Sequence, residues 1–572
     1  MHSQHTRPPE TTDVPDSHGL NLHLVDPYGP AMTDHYLPAA LATHLHPHLQ
    51  RLGALAGSTL DDLAHTADRH PPTLSVRTRA GAERATVHKH PAYVELERYA
   101  YSEFGLAAMS HRPGVLGWPQ TMPALGKYAL TYLFVQAEFG LCCPVSMTDS
   151  LARTLRRYGS PELIEQVLPQ VATQDFDALR QGAMFMTEQG AGSDVSATST
   201  VATEQPDGSW HLDGDKWFCS NPDAGFAMVL ARSEAAAGLA GVSLFLLPRD
   251  LADGTRNHYR ILRLKDKLGT RSMASGEIRL EGARAWLVGE RGRGFQQMAD
   301  MINNSRLSNG VRAAGLMRRA LTEATFVARH RRAFGQRLID MPLMQRQLVK
   351  MLVPTEQART MMMQTAAAQA AADAGGDPAL ARILTPLIKF RACRDARRVT
   401  GDAMEVRGGC GYIEEFSDAR LVRDAHLGSI WEGTSNIVAL DVLRAVKKAG
   451  GLVAIEAHVK ALLQQGRACA PALAQCQQDS LSRAFALAQQ AAQDDLGHLA
   501  RQAATALYNV VTLAALRAEA ADPALASRAH IADMVLLHRL APYDPCVART
   551  EDHEGVQALV SVIDTDGPAP QV

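Results

Sequence analysis

Ser429-Ile430-Trp431-Glu432-Gly433-Thr434-Ser435-Asn436 places a carboxylate between a large aromatic residue and a Gly-Thr pair. A lone glutamate after tryptophan is usually a solvated or salt-bridged side chain, so its flanks have to carry the argument. Upstream, Arg407-Gly408-Gly409-Cys410-Gly411-Tyr412 has glycines that permit a sharp turn and a close backbone approach to a ligand. Downstream, Ile437-Val438-Ala439-Leu440-Asp441-Val442-Leu443 reads as an apolar helix start. A glycine turn, a loop carboxylate and a helix start together point to a site.

Working outward, hydrophobic periodicity divides the chain. Residues 1 to about 35 are rich in His, Pro, Asp and Thr and read as an irregular lead-in, followed to about Gln181 by a mostly helical pattern broken at Pro71-Pro72, Pro113, Pro119 and Pro123. Near Gly182 the period turns to alternation: Met184–Thr187, Ser199–Thr203, Phe226–Leu230, Val242–Leu247 and Gly276–Leu280 read as strands, with a hairpin turn at Pro206-Asp207-Gly208-Ser209. Long helical stretches return after Gly292, over Phe295 to about Arg332, Leu343 to about Ala372 and Ala379 to Val406, and a last helical region runs from about 450 to 545. The expected fold class is α+β, mainly α. Its domains are 1–181 (lead-in and helical domain), 182–290 (small antiparallel β domain), 291–449 (helix bundle with the carboxylate loop) and 450–572 (an extra C-terminal helical domain).

The 572 residues suffice for several domains and a well-buried core, and 46% hydrophobic with 21% charged residues is ordinary for a globular protein. A net charge of −2 gives no global attraction to nucleic acid or anionic membrane. The eight cysteines show no CxxC pair or zinc-ligand spacing, which reads as reduced thiols in a cytoplasmic enzyme. Neither a signal peptide nor an apolar run of membrane-spanning length is visible. His44, His46 and His48 alternate as metal ligands on an extended segment could, but Pro47 interrupts them and no carboxylate or cysteine is near. Surface histidines at a helix end are the expected reading, and no metal site is assigned.

The carboxylate loop and the order helices, β domain, bundle together resemble the acyl-CoA dehydrogenase family, and the long lead-in and extra C-terminal domain resemble its AidB-type, alkylation-response branch. The resemblance implies bound FAD. Met186-Thr187-Glu188-Gln189-Gly190-Ala191-Gly192-Ser193-Asp194 matches the family's FAD-binding Thr-Glu-x-x-x-Gly-Ser-Asp pattern, with Met186, Thr187 and Ser193 as contacts. In Lys216-Trp217-Phe218-Cys219-Ser220-Asn221, Phe218 takes the place of the aromatic that covers a flavin face and Ser220 that of the hydroxyl at its reactive edge. Arg331-Arg332-Ala333-Phe334-Gly335 resembles the Arg-x-x-Phe-Gly motif that reaches a neighbouring subunit's FAD, through Arg331 and Phe334. Glu405, Gly408 and Gly409 fall where relatives touch that flavin across the interface, Glu405 in place of a commoner neutral residue. Trp431, Thr434 and Asn436 match further FAD contacts. A cofactor site built from two chains requires at least a dimer, and the family's usual assembly is a homotetramer.

The resemblance makes Glu432 the base that removes the α-proton of an acyl-CoA thioester during α,β-dehydrogenation. Some relatives place the base on a bundle helix beside an arginine, but Ser305-Arg306 occupies that pair, which leaves Glu432, with Arg306 shaping the substrate pocket. The alternative is an FAD-containing DNA-binding stress-response protein with little dehydrogenase turnover, for which Arg444, Lys447 and Lys448 are the candidate contacts. A flavin-stabilised scaffold is the third reading. Against DNA binding, acidic residues outnumber basic ones beyond Gly450.

Overall fold

The computed structural model describes residues 14–448, 450–494, 496–547 and 552–565, so the first thirteen residues of the expected lead-in lie outside the described residues. Helices Gly29–Tyr36, Ala39–Ala56, Thr59–Arg69, Pro91–Glu97, Ala124–Phe134, Cys142–Tyr158 and Pro161–Val171 make up most of the first part. Two readings of this region need correction. A hairpin, Thr73–Arg77 paired with Glu83–His88, interrupts the helices, because alternating residues such as Leu74, Val76, Ala85 and Val87 flank a turn that Gly81 closes at φ +87°. His44, His46 and His48 lie midway along Ala39–Ala56 and are half-buried, neither at a helix end nor on an extended segment, and a helix turns neighbours two apart to opposite sides. His44 pairs with the Leu116 carbonyl at 3.0 Å and His46 with Asp34 at 2.7 Å. Among the described residues no cluster could hold a metal ion.

The sheet has seven strands: Gly182–Phe185, Val201–Glu204, Trp210–Ser220, Phe226–Arg232, Val242–Pro248, Tyr259–Leu264 and Ser275–Val288. It is antiparallel except along Phe226–Arg232, which runs parallel to Gly182–Phe185 and to Val201–Glu204, and its pairing closes through Phe226–Arg232 and Val242–Pro248. Period-two alternation buries both faces. Ala227, Val229, Phe245 and Leu247 point into the sheet's own core, whereas Met228, Leu230, Leu244 and Leu246 join the helical core. The strand Tyr259–Leu264 was not foreseen; it pairs with Ser275–Val288 and interleaves exposed charged residues with Tyr259 and Ile261.

Helices Gly294–His330, Pro342–Asp373 and Ala379–Arg407 form the bundle, with Ser417–Gly428 and Ser435–Lys448 packed against it. Gly294–His330 is buried around most of its circumference because the other long helices and the first helical part surround it. At Gly315 a Cβ would lie 2.2 Å from Val135 and 2.7 Å from the Tyr132 carbonyl, so only glycine lets Ala124–Phe134 and its extension cross there. Helices Gly451–Gln465, Pro471–Gln493, Ala500–Glu519 and Arg528–Val535 continue the same apolar core.

Charge joins these parts as well. Asp26 of the lead-in, Arg318, Glu356 and Arg359 of the bundle, and Glu519 and Arg528 of the C-terminal helices are all buried. Arg359 reaches Asp26 at 2.6 Å, Arg528 reaches Glu356 at 2.5 Å and Glu519 at 2.6 Å, and Glu356 also pairs with Arg318 and Arg359. Three cations offset three anions, which makes desolvation tolerable. Replacing Arg528 with Met leaves Glu356 and Glu519 short of a cation, and the expected loss is about 3–5 kcal/mol. It should be read as a lower Tm and earlier protease cleavage beyond residue 450, and a variant cleaved no faster than wild type would contradict this account.

Candidate active site

The stretch Trp431-Glu432-Gly433 is a turn between helices Ser417–Gly428 and Ser435–Lys448. Glu432 has φ +55°, a left-handed conformation that costs a non-glycine residue of order 1–3 kcal/mol. Two cations hold it from neighbouring helices: Arg306 Nε donates to the Glu432 carbonyl at 3.0 Å and Lys389 Nζ to the Gly433 carbonyl at 2.8 Å. Arg306 is fixed in turn by Asp441 at 2.8 Å, which Arg382 also meets at 2.7 Å. Trp431 stacks on Phe139, with centroids 5.8 Å apart and planes at 14°, and the Arg312 guanidinium lies 4.5 Å from the Trp431 ring centre.

The Glu432 side chain is therefore presented by a backbone that cannot turn away. Its Oε2 is buried without a hydrogen-bond partner among the described residues. Burial pushes the carboxyl above its usual range, opposed by hydrogen bonding from Ser305 and by the charges of Arg306, Arg312 and Lys389. Burial also pulls the Lys389 ammonium down to about 8. An unpartnered carboxylate oxygen whose proton affinity is raised is suited to accept a proton.

Arg312, Lys389, Asn309 and Phe139 were not singled out from sequence. The readable signal was the polar series Ser305, Asn309 and Arg312 at i, i+4 and i+7, which puts three buried polar side chains on one face of the helix.

Apart from Trp431 and Thr434, which flank Glu432 on the turn, and Asn436 in the first turn of Ser435–Lys448, the expected cofactor residues fall into two groups. Met186, Thr187 and Ser193 lie on the loop after strand Gly182–Phe185, and the Trp217 amide donates to the Thr187 carbonyl at 2.9 Å, bringing Phe218 and Ser220 alongside. Glu188 anchors this loop. Its carboxylate accepts from the amides and hydroxyls of Ser199 and Thr200 and from buried Lys216 at 2.7 Å, bonds that draw its pKa down to about 2 against the cost of burial. The hydroxyls of Thr187, Ser193, Ser220 and Thr434 have no hydrogen-bond partner within the described residues, and a Cβ at Gly190 would meet nothing within 4 Å. Phe218 is 60% exposed, a large uncovered cost for an aromatic in a strand. Free hydroxyls, open space and a largely exposed ring fit a planar, hydrogen-bonding group such as a flavin.

Arg331, Phe334, Glu405, Gly408 and Gly409 form the other, outward-facing group. Arg331 donates to the Arg407 carbonyl at 3.1 Å, which sets it beside Gly408. Phe334, at φ +51° on the hairpin Arg332–Ala333/Gln336–Arg337, is 97% exposed. Arg444, Lys447 and Lys448 are exposed at the end of Ser435–Lys448, where cations complement the helix C-terminus.

Residues 292–447 match the family described as acyl-CoA dehydrogenase, C-terminal domain; 183–283 match its middle domain, and 14–178 match the adaptive response protein AidB N-terminal domain. The putative acyl-CoA dehydrogenase AidB of Escherichia coli is 34% identical over 414 residues, 70% of this chain and 74% of that protein. The chain belongs to the acyl-CoA dehydrogenase family. Acyl-CoA dehydrogenase family member 11 of Caenorhabditis elegans is 30% identical over 441 residues, 75% of this chain and 71% of that one. The structure of C. elegans ACDH-11 in complex with C11-CoA superposes with a TM-score of 0.85, covering 99% of both chains at 26% identity. The protein is accordingly an FAD-dependent oxidoreductase of the acyl-CoA dehydrogenase type.

Because the folded-state pKa of Glu188 is depressed, its stabilisation is complete above the ordinary carboxylate value near 4.5 and is lost as pH falls towards 2. The thermal midpoint of Glu188→Gln should fall below that of wild type at neutral pH and converge with it on acidification. A gap that is constant between pH 6 and 3 would contradict the anchoring role.

Proposed function

We propose that Glu432 is the catalytic base of α,β-dehydrogenation of an acyl-CoA thioester, taking the α-proton on its unpartnered oxygen. The observation that carries this reading is the joint geometry of the loop: a strained backbone clamped by Arg306 and Lys389, with Oε2 buried and without a hydrogen-bond partner. FAD, when bound, supplies the acceptor for the hydride that leaves the β-carbon. Met186, Thr187, Ser193, Phe218, Ser220, Trp431, Thr434 and Asn436 would hold it within the chain, and Arg331, Phe334, Glu405, Gly408 and Gly409 would reach a neighbouring copy's FAD.

Arg306 fixes the direction of the base and shapes the substrate pocket, and burial at the site keeps water from the proton in transit. The C. elegans relative's C11-CoA complex supports a CoA thioester as the substrate class. Exposed Phe334 supports a homotetramer in which this residue is covered, and eight free cysteines fit a cytoplasmic setting. No helix among the described residues is long and apolar enough to cross a membrane. The division 1–181, 182–290, 291–449 and 450–572 belongs to the same reading. A DNA partner finds no support, since Lys447 and Lys448 are accounted for by the helix end they occupy and Arg444 by the charge of Asp441.

Anaerobic mixing of the holoenzyme with an acyl-CoA panel should bleach the flavin in wild type, and Glu432→Gln should be slower by at least about 10²-fold. If no thioester bleaches it, the dehydrogenase role of the loop is wrong. Lys389→Met removes a positive charge that favours ionised Glu432, so the acidic limb of the pH–rate profile should move to higher pH, with kcat reduced roughly tenfold or more by the loosened loop. An unmoved limb would show that Lys389 does not act on the base.

A further inference from the structure

Five arginines are fully buried among the largest interior side chains: Arg312, Arg359, Arg407, Arg517 and Arg528. Four of them have carboxylate partners. Arg359 meets Asp26 and Glu356, Arg407 meets Glu323 and Asp418 at 2.6 Å each, Arg517 meets Asp533 at 2.5 Å, and Arg528 meets Glu356 and Glu519. Arg312 has no ion pair among the described residues. Its Nε donates to the Ser308 carbonyl at 3.3 Å, one helical turn back, its charge lies near the Cys143 thiol and Glu432, and Nη1 is unpartnered.

An arginine cannot relieve this burial by losing its proton. Desolvating a cation that has no ion pair costs several kcal/mol; stacking on Trp431 and Phe139 returns about 2 kcal/mol at best, and Glu432, on whose proton affinity Arg312 acts, is not within ion-pair distance. A leucine or methionine would pack against the same rings without that cost. Asn309, three residues before Arg312 on the same face and equally buried, leaves both amide atoms unpartnered. Ser305, one further turn back on that face, is near enough to Glu432 to lower its proton affinity. The Trp431 indole N–H is unpartnered too. Each such group carries a penalty of roughly 1–3 kcal/mol unless something polar meets it; Trp431 adjoins Glu432 in the chain, Arg312 acts on its charge, and Asn309 lies one turn from both Ser305 and Arg312.

We propose that the acyl site is built for a CoA thioester whose acyl chain carries a carboxylate, received by Arg312 with Asn309. This rests on the dehydrogenase reading and adds the substrate class to it. Arg312 is a specificity-determining residue: its guanidinium supplies the charge-assisted donors, and the Asn309 amide supplies another donor. An all-apolar chain would leave both groups unpaired in the closed site, so selectivity comes from rejecting such a chain as much as from attracting the charged one.

Ser305 and Arg312 are seven residues apart, about 10 Å along a helix, so the test uses monothioesters of dicarboxylic acids from about five to ten carbons, each matched with an apolar acyl-CoA of equal length. With the holoenzyme, kcat/KM for flavin bleaching should favour the carboxylated member of the best pair by about 10- to 100-fold. That thioester should also raise the thermal midpoint more than its apolar match. In Arg312→Leu the ratio should collapse towards one, in Arg312→Lys it should be partly kept, and Asn309→Leu should reduce it if Arg312→Leu fails to fold. Wild type favouring the apolar member, or a preference that survives loss of Arg312, would overturn the proposal. Absence of bleaching by every thioester, with the selective thermal shift intact, would instead sink the dehydrogenase reading and leave the carboxylate site standing.

Discussion

The structure depends on a neutral buried charge cluster. Asp26, Arg318, Glu356, Arg359, Glu519 and Arg528 come from the lead-in, two bundle helices and the C-terminal helices, and each is nearly or fully removed from solvent. Such groups are tolerated only when every partner is present, so the cluster acts as a register mark: the three regions can meet in one arrangement. A second network repeats the device one residue further along the same helix. Arg319 pairs with Asp61 at 2.8 Å and Glu323 at 2.7 Å, and Glu323 passes the contact to Arg407, which ends the third bundle helix beside the Gly408-Gly409 turn.

Both networks fix helix Gly294–His330 along its axis, and the proposed active site is mounted on that helix. Ser305, Arg306, Asn309 and Arg312 lie about two to four turns before Arg318 and Arg319, so any slip of the helix would carry the clamp on Glu432 with it. The site is accordingly a property of helix packing rather than of the carboxylate loop. The loop contributes a strained turn, and Arg306, Lys389 and the stacked Phe139 come from elsewhere to hold it. Glu432 gains its proton affinity from burial and loses part of it to the surrounding cations, which places it between an inert neutral acid and an ordinary surface carboxylate.

Much of this was legible in the chain. Long 3.6-residue periods located the bundle helices to within about two residues, because a helix surrounded by other helices must repeat its apolar residues at that spacing. The alternating segments located the sheet for the same reason at period two, although Tyr259–Leu264, with charged residues on its open face, and the exposed hairpin Thr73–Arg77/Glu83–His88 escaped notice. Glu432, Arg306 and the hydroxyl-bearing loops carried local patterns of their own.

What the sequence by itself determined is therefore the order of elements and the chemistry each loop carries, since periodicity, turn residues and short motifs are written between near neighbours. Only the tertiary structure decided which charges meet. Lys389 on Gly433, Arg312 on Trp431 and Arg528 on Glu356 join residues 44, 119 and 172 positions apart, and a buried lysine or arginine looks in sequence like any solvated one. Its partner, or its want of one, is set by packing, because desolvation in the folded core is what turns a common side chain into a constraint.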